Sequence, residues 1–337
     1  MKKLISVIKK IRPSLLFIGS LVGVIFSVSA AFGFTDIKWN IVEPSPLPRG
    51  EAQSAVVNGK LYVFGGYLKG DPIRFVSSID VYNPAATNNK WTRISKNMPK
   101  PLTHSGTAAE GKNVYLAGGY VGQPNGGTLF ATRDVWKYNV ETNTWSSMPP
   151  LPQARGGGAL EVLGRKLHFF GGSDLKRADK GDHWVLSLDG GQNWTQAAPL
   201  PNSRNHLGDA VLDGKLYAIG GQHGQDSRSV TQTSVHMWNP ATNTWKPVAP
   251  LPRPRSHIAG ATFVMGDRII VVGGEVKHGQ DIHDVTAYNP RSNSWQALTP
   301  LPAPRRSGVA GNIGNRIFFT TGYNITAYRG EPRLVSP

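Results

Sequence analysis

Apolar residues in this chain fall in short runs separated by turn residues, and the pattern is clearest over residues 200–245. Leu200-Pro201 and Arg204 are followed by Ala210-Val211-Leu212, a turn at Asp213-Gly214-Lys215, and Leu216-Tyr217-Ala218-Ile219 ending in Gly220-Gly221. A polar stretch leads to Val235-His236-Met237-Trp238, then Asn239-Pro240-Ala241-Thr242-Asn243 and Trp245. Each run is of strand length, and Asp-Gly between two runs is a hairpin signal because both central residues favour positive φ. The pattern predicts four antiparallel strands, a to d.

The same cassette returns about every 50 residues. Double glycines stand at Gly65-Gly66, Gly118-Gly119, Gly171-Gly172, Gly220-Gly221 and Gly273-Gly274, with a degenerate sixth at Thr321-Gly322. Trp39, Trp91, Trp145, Trp194, Trp245 and Trp295 keep the same phase, and Asn-Pro recurs at Asn83-Pro84, Asn239-Pro240 and Asn289-Pro290. The double glycine with a trailing tryptophan resembles the Kelch repeat. The resemblance covers residues 35 to about 330 and implies an all-β, six-bladed Kelch-type β-propeller. The last cassette has no tryptophan after Tyr328, whereas Trp39 is in phase without a preceding cassette. The N-terminal strand around Trp39 is therefore expected to close the ring by joining the C-terminal blade, which removes an open sheet edge.

The chain divides into residues 1–34, the propeller at 35–330 and a tail at 331–337. Lys2, Lys3, Lys9, Lys10 and Arg12 precede an apolar stretch from Leu15 to Phe34. That segment reads as a signal peptide, with Val28-Ser29-Ala30 as the cleavage site, or as a membrane anchor. Either way the propeller is expected outside the cytoplasm: periplasmic, extracellular or membrane-held. The formal charge is +16, and removing the five basic residues of the leader leaves +11. This balance favours anionic partners, but no basic run interleaved with aromatics points to nucleic acid. There is no cysteine. Disulfides, thiolate metal sites and the copper–radical chemistry of the Kelch-bladed galactose oxidases are excluded, and no cofactor is expected.

Arginine recurs at the start of strand a, at Arg49, Arg155, Arg204, Arg255 and Arg305, with Leu102 in the second cassette. Two residues further on stand Glu51, His104, Gly157, His206, His257 and Ser307. Side chains two apart on a strand share a face. The expectation is a ring of guanidiniums at the mouth of the axial channel, with the histidines and Glu51 beside them, suited to a carboxylate or phosphate ligand. The alternative is that these arginines brace neighbouring blades through backbone carbonyls.

Polar b–c loops surround the same end. His-Gly-Gln-Asp occurs twice in them, at His223–Asp226 and His278–Asp281, with His283 and Asp284 nearby. No ligand spacing supports a metal site there, and none is expected. The loop Gly274-Glu275-Val276-Lys277-His278-Gly279-Gln280-Asp281 resembles the Gly-Glu-Ala-Lys-Pro-Gly-Leu-Arg loop of the exported bacterial sialic acid mutarotases. Gly274, Glu275, Lys277 and Gly279 match, but Asp281 stands where that family has arginine.

Two functions follow. The first is an interaction module that binds an acidic glycan or acidic protein segment through Arg49, Arg155, Arg204, Arg255, Arg305, His104 and Glu51, as some Kelch domains bind acidic peptides. The second is a sugar mutarotase or epimerase. In it Glu275 and His206 or His257 act as general acid and base in anomer exchange, and the arginines hold the sugar's carboxylate.

Overall fold

The computed structural model describes residues 34–333 apart from residue 89. The leader read at residues 1–34 lies almost wholly outside the described residues, as does the end of the tail. Among the described residues there are six four-stranded antiparallel sheets, each ordered a-b-c-d. In the first five blades strand a covers residues 53–57, 106–110, 159–163, 208–212 and 262–265. The sixth blade has strands a, b and c at Gly308–Ile313, Arg316–Thr321 and Ala327–Arg333, so strand c runs past the boundary placed at residue 330. Its strand d is Asp36–Val42, which pairs with strand c from Asp36 opposite Arg333 to Val42 opposite Ala327. The ring is thus closed by the N-terminal strand. Strand a of each blade touches strand a of the next all the way round, which makes the fold the six-bladed propeller expected from the repeats.

Each repeated residue type solves a packing problem. The turn after strand a needs positive φ, supplied in the fourth blade by Asp213 at 49° and Gly214 at 67°. Strand b is covered on both faces, so Leu216–Ile219 and its counterparts are buried without alternation. One buried cluster fills each of the six interfaces between blades. The indole N–H of Trp245 donates to the carbonyl of Ala198 on the preceding blade at 2.9 Å, and Trp39, Trp91, Trp194 and Trp295 do the same to Thr299, Glu43, Pro149 and Ala249. Trp145 has no such partner. The second residue of each double-glycine site gives its N–H to the carbonyl at the arginine position of the next blade, as Gly221 does to Arg255 at 2.9 Å. A Cβ on the preceding Gly220 would lie 2.3 Å from that carbonyl oxygen, so a side chain is excluded where strand b meets its neighbour.

Candidate functional site

A closed belt of hydrogen bonds builds the channel mouth. At Glu51, His104, Gly157, His206, His257 and Ser307 the backbone is left-handed, with φ between 50° and 66°. Each N–H donates to the carbonyl of its counterpart in the preceding blade. His104 reaches Glu51 at 3.4 Å, Gly157 reaches His104 at 2.8 Å, and His206 reaches Gly157 at 2.9 Å. His257 reaches His206 at 3.1 Å, Ser307 reaches His257 at 3.0 Å, and Glu51 reaches Ser307 at 3.1 Å, which completes the circle. Six backbone donors and acceptors near the axis are thereby satisfied without water.

This belt overturns the arginine ring. Strand a begins only after the belt, so the arginine and the residue two beyond it are not on one strand face. The left-handed residue turns its own side chain to the axis and leaves the arginine inside its blade. Arg49, Arg155, Arg204 and Arg255 are at most 1% exposed, and none of the five arginines lines the mouth. Arg49 donates to the carbonyls of Gly65 at 2.9 Å and Ser78 at 3.2 Å and pairs with Asp80. Arg155 pairs with Asp182 and Arg255 lies 3.6 Å from Asp284. Arg204 has backbone carbonyls alone: Gly220 at 2.6 Å, Ala218 and Asn202 at 3.0 Å, Pro201 at 3.2 Å and Ser234 at 3.4 Å. Burial pushes Arg49, Arg204 and Arg255 down to about 10. Arg305 is part-buried and donates to the Pro304 carbonyl at 3.1 Å. Arg49, Arg155, Arg204 and Arg255 brace their own blades, and none of the five lines the mouth.

The rest of the expected site does converge. A cleft of about 170 Å³ at the b–c loop end is lined by His104, His206, His257 and Glu275, with Arg177 and Arg306 at its sides and Tyr67, Phe75, Tyr120, Phe130 and Tyr323 as walls. Glu275, 1% exposed, receives the Gly279 N–H at 3.0 Å. Its carboxylate lies 3.0 Å from Nδ1 of His257 and 3.3 Å from Arg306. Burial disfavours charge on both His257 and Glu275. Their close contact overcomes this, with Glu51 adding to it at His257 and Arg306 at Glu275, raising the His257 pKa and lowering that of Glu275. His104 and His206 are instead held neutral: burial brings His104 to about 4 and, with the neighbouring histidines, takes His206 well below its ordinary value. His104 stacks on Tyr120 with centroids 4.2 Å apart, and His206 lies 4.8 Å from His104 and 4.4 Å from His257. Glu51 is buried, accepts the hydroxyl of Ser307, and lies 3.7 Å from Nε2 of His104.

Arg306 and Arg177 are the cations that the sequence reading missed. Arg306 follows Arg305 directly and precedes Ser307 of the belt, and it bridges Glu275 and Asp281. An arginine thus stands 3.3 Å from Glu275 although none lies in the 274–281 loop; the doubled Arg305-Arg306 was the signal. Arg177 sits in the third b–c loop, grips Asp226 at 2.7 and 3.2 Å, and lies over Phe130 at 4.4 Å; no repeat phase marks it. The two His-Gly-Gln-Asp segments meet only at the cleft, where Asp226 and His278 both line it; His223 faces Asp179 at 3.7 Å, and Asp226 and Asp281 are taken by the two arginines.

The chain belongs to the Kelch-repeat family: the model for the KLHDC2/KLHL20/DRC7 Kelch-repeats domain matches residues 30–199 and 104–322. It is 31% identical over 269 residues to a Kelch repeat-containing protein of Arabidopsis thaliana, covering 74% of this chain and 60% of that one. It is 27% identical over 252 residues to the Kelch-like protein terF of Aspergillus terreus, covering 71% and 52%. The chain therefore spans little more than half the length of these relatives. The solved structure of YjhT superposes with a TM-score of 0.63 at 18% identity, covering 75% of this chain and 84% of that one, a likeness of fold.

Proposed function

We propose that this propeller is an exported interaction module whose b–c loop face takes an acidic segment of a protein, or an acidic glycan, into the axial mouth. The observation that carries the reading is the composition of the mouth. Five aromatic rings and two guanidiniums surround a cleft that three belt residues, His104, His206 and His257, also line. Tyrosine and arginine on a rigid rim are the residue types that dominate binding energetics. The cleft is smaller than the ~300–1,000 Å³ of pockets that enclose drug-sized ligands, which suits one or two inserted side chains or a single sugar. The basic balance of +11 outside the leader draws acidic partners. Arg177 and Arg306 are the charges in reach, each able to exchange a carboxylate of its own chain for one of the ligand. Export rests on the basic-flanked apolar stretch of residues 2–34.

The test is calorimetry with acidic and neutral peptides and with acidic and neutral sugars, at low and moderate salt, on wild type and on Arg177→Ala and Arg306→Ala. Affinity for an acidic ligand should fall about tenfold or more in each variant and weaken as salt rises. Equal affinity in all three proteins would refute the reading.

One observation favours a second reading, sugar anomer exchange. Glu275, His257 and Arg306 form a buried carboxylate–imidazole pair with a cation at 3.3 Å, so a proton donor, a proton acceptor and a carboxylate anchor share one cleft. Exchange of N-acetylneuraminate anomers followed by NMR, abolished in Glu275→Gln, would establish it. A wild-type rate equal to the uncatalysed one would remove it.

A further inference from the structure

The centre of the mouth also holds a set of side chains suited to holding a metal ion. Glu51, His104 and His206 come from three different blades, and the belt turns all three side chains to the axis. One ligand atom from each lies within 4.8 Å of the others. The carboxylate of Glu51 is 3.7 Å from Nε2 of His104, and on its other side Nε2 of His257 is 3.9 Å from Oε1. A tetrahedral or octahedral ion with bonds of about 2.0–2.2 Å needs donors roughly 3–3.5 Å apart, so small side-chain adjustments close the set.

The hydrogen bonds that hold the imidazoles from behind are the more telling feature. A histidine that ligates through one ring nitrogen generally has the other hydrogen-bonded, which fixes tautomer and direction. Here the residue preceding each histidine does this. Thr103 Oγ1 lies 3.1 Å from Nδ1 of His104, Asn205 Oδ1 is bonded to Nδ1 of His206, and Ser256 Oγ lies 3.0 Å from Nδ1 of His257, where Glu275 adds a carboxylate. In all three the Nε2 is left as the free donor. Glu51 is fixed in the same way by Ser307. Thr-His, Asn-His and Ser-His at one repeat position are thus a recurring device for aiming imidazoles. At the third blade the belt residue is Gly157, with no side chain, so the set is open on that side.

We propose that Glu51, His104 and His206 bind one divalent transition ion of the zinc, cobalt or iron(II) class on the propeller axis, with His257 as a further donor. Two imidazoles and one carboxylate select such ions over magnesium and calcium, which prefer all-oxygen shells. The remaining coordination positions face the cleft. The site does not depend on which ligand the mouth accepts.

The test uses the full chain, stripped with chelator and then titrated with zinc and, separately, cobalt(II), magnesium and calcium. Zinc and cobalt should bind at one equivalent, and magnesium and calcium should not compete. Glu51→Gln and His206→Gln should each weaken zinc at least tenfold, while His223→Gln, in an outer loop, should leave it unchanged. X-ray absorption on the zinc-loaded wild type should show imidazole scattering, and this arm holds even if a variant fails to fold. Absence of stoichiometric binding, equal affinity in the variants, or a first shell without imidazole would each overturn the proposal.

Discussion

The reassignment of the arginines from ligand contacts to braces makes a sharp prediction for Arg204→Met. Methionine keeps much of the apolar stem and removes every donor. Two of the five carbonyls that Arg204 serves, Gly220 and Ala218, are bonded in buried positions. The other three, Pro201, Asn202 and Ser234, are only part-buried and can rehydrate. A buried acceptor stripped of its partner costs about 1–3 kcal/mol, so the substitution should cost ~2–6 kcal/mol. No carboxylate is orphaned, because Arg204 pairs with none, and the loss is one of backbone satisfaction alone. At roughly 2 °C per kcal/mol for a domain of this size, the melting temperature should fall by ~4–12 °C. Arg177→Met makes the same chemical change at a side chain 26% exposed in the mouth, whose carboxylate partner Asp226 is 68% exposed, and should alter stability far less while weakening acidic ligands. Differential scanning calorimetry of both variants decides the matter. If Arg204→Met melts within a degree of wild type, or Arg177→Met falls as far, the division between brace and mouth is wrong.

Three further outcomes follow from the packing. In the channel beneath the mouth, burial raises Asp209 to about 8 and, with the charge of Asp209, raises Glu161 well above the carboxylate range. The folded state then keeps protons that the unfolded chain releases near pH 4, so stability should decline as pH rises toward 8, by at most ~1.4 kcal/mol per pH unit for each group. Asp209→Asn should flatten that decline, and melting curves from pH 5 to 9 with unchanged slope would sink the idea. In the third blade, burial holds His168 at about 4 and His183 at about 3. Both lie below the ordinary 6.5, so the stability they carry is present above 6.5 and lost as pH falls; a His168→Leu/His183→Leu double variant should lose less than wild type between pH 6.5 and 5. Finally, Ile37 of the closing strand is 4% exposed and Ile41 is 76% exposed. Ile37→Ala should cost ~2–5 kcal/mol and Ile41→Ala under ~0.5 kcal/mol, and equal effects in denaturant titrations would argue against closure by this strand.

The sequence carried the architecture because every blade meets the same constraints. Gly221 must let the next blade's carbonyl approach, and Trp245 must reach back to Ala198, so those residue types return in phase and can be counted. Trp39 revealed the closure by the same logic. The arginines were legible as a repeated position but misplaced, because the two-residue spacing from Arg204 to His206 was read as extended strand. His206, with φ of 51°, breaks that alternation, and no residue type in its place signals the break, since glutamate, histidine, glycine and serine all occupy it. Arg177 and Arg306 escaped for other reasons: a b–c loop residue such as Arg177 owes nothing to the repeat, so phase cannot find it, and the repeat position of Arg306 holds glycine, threonine, asparagine or serine in the other blades.

That contrast locates function in the departures from symmetry. A six-fold belt with identical side chains would present an even rim with no preferred approach. Here one belt position carries a carboxylate, three carry imidazoles, one a hydroxyl and one nothing, while the backbone bonds stay the same throughout. The scaffold therefore fixes six side-chain directions whatever the residue type, and the mouth's chemistry is set by which residue fills each. Gly157 follows from this directly. A Cβ there would lie 3.4 Å from Nδ1 of His206, ordinary contact, so packing permits a side chain and the opening beside His206 is not forced by crowding. Gly157→Asn, an amide that tolerates the left-handed backbone, should fold with near-wild-type stability and narrow the mouth on that side. Weaker ligand binding with an unchanged melt would show that the gap is part of the site. An unchanged affinity would assign ligand contact to the opposite rim, at Arg306 and Tyr323.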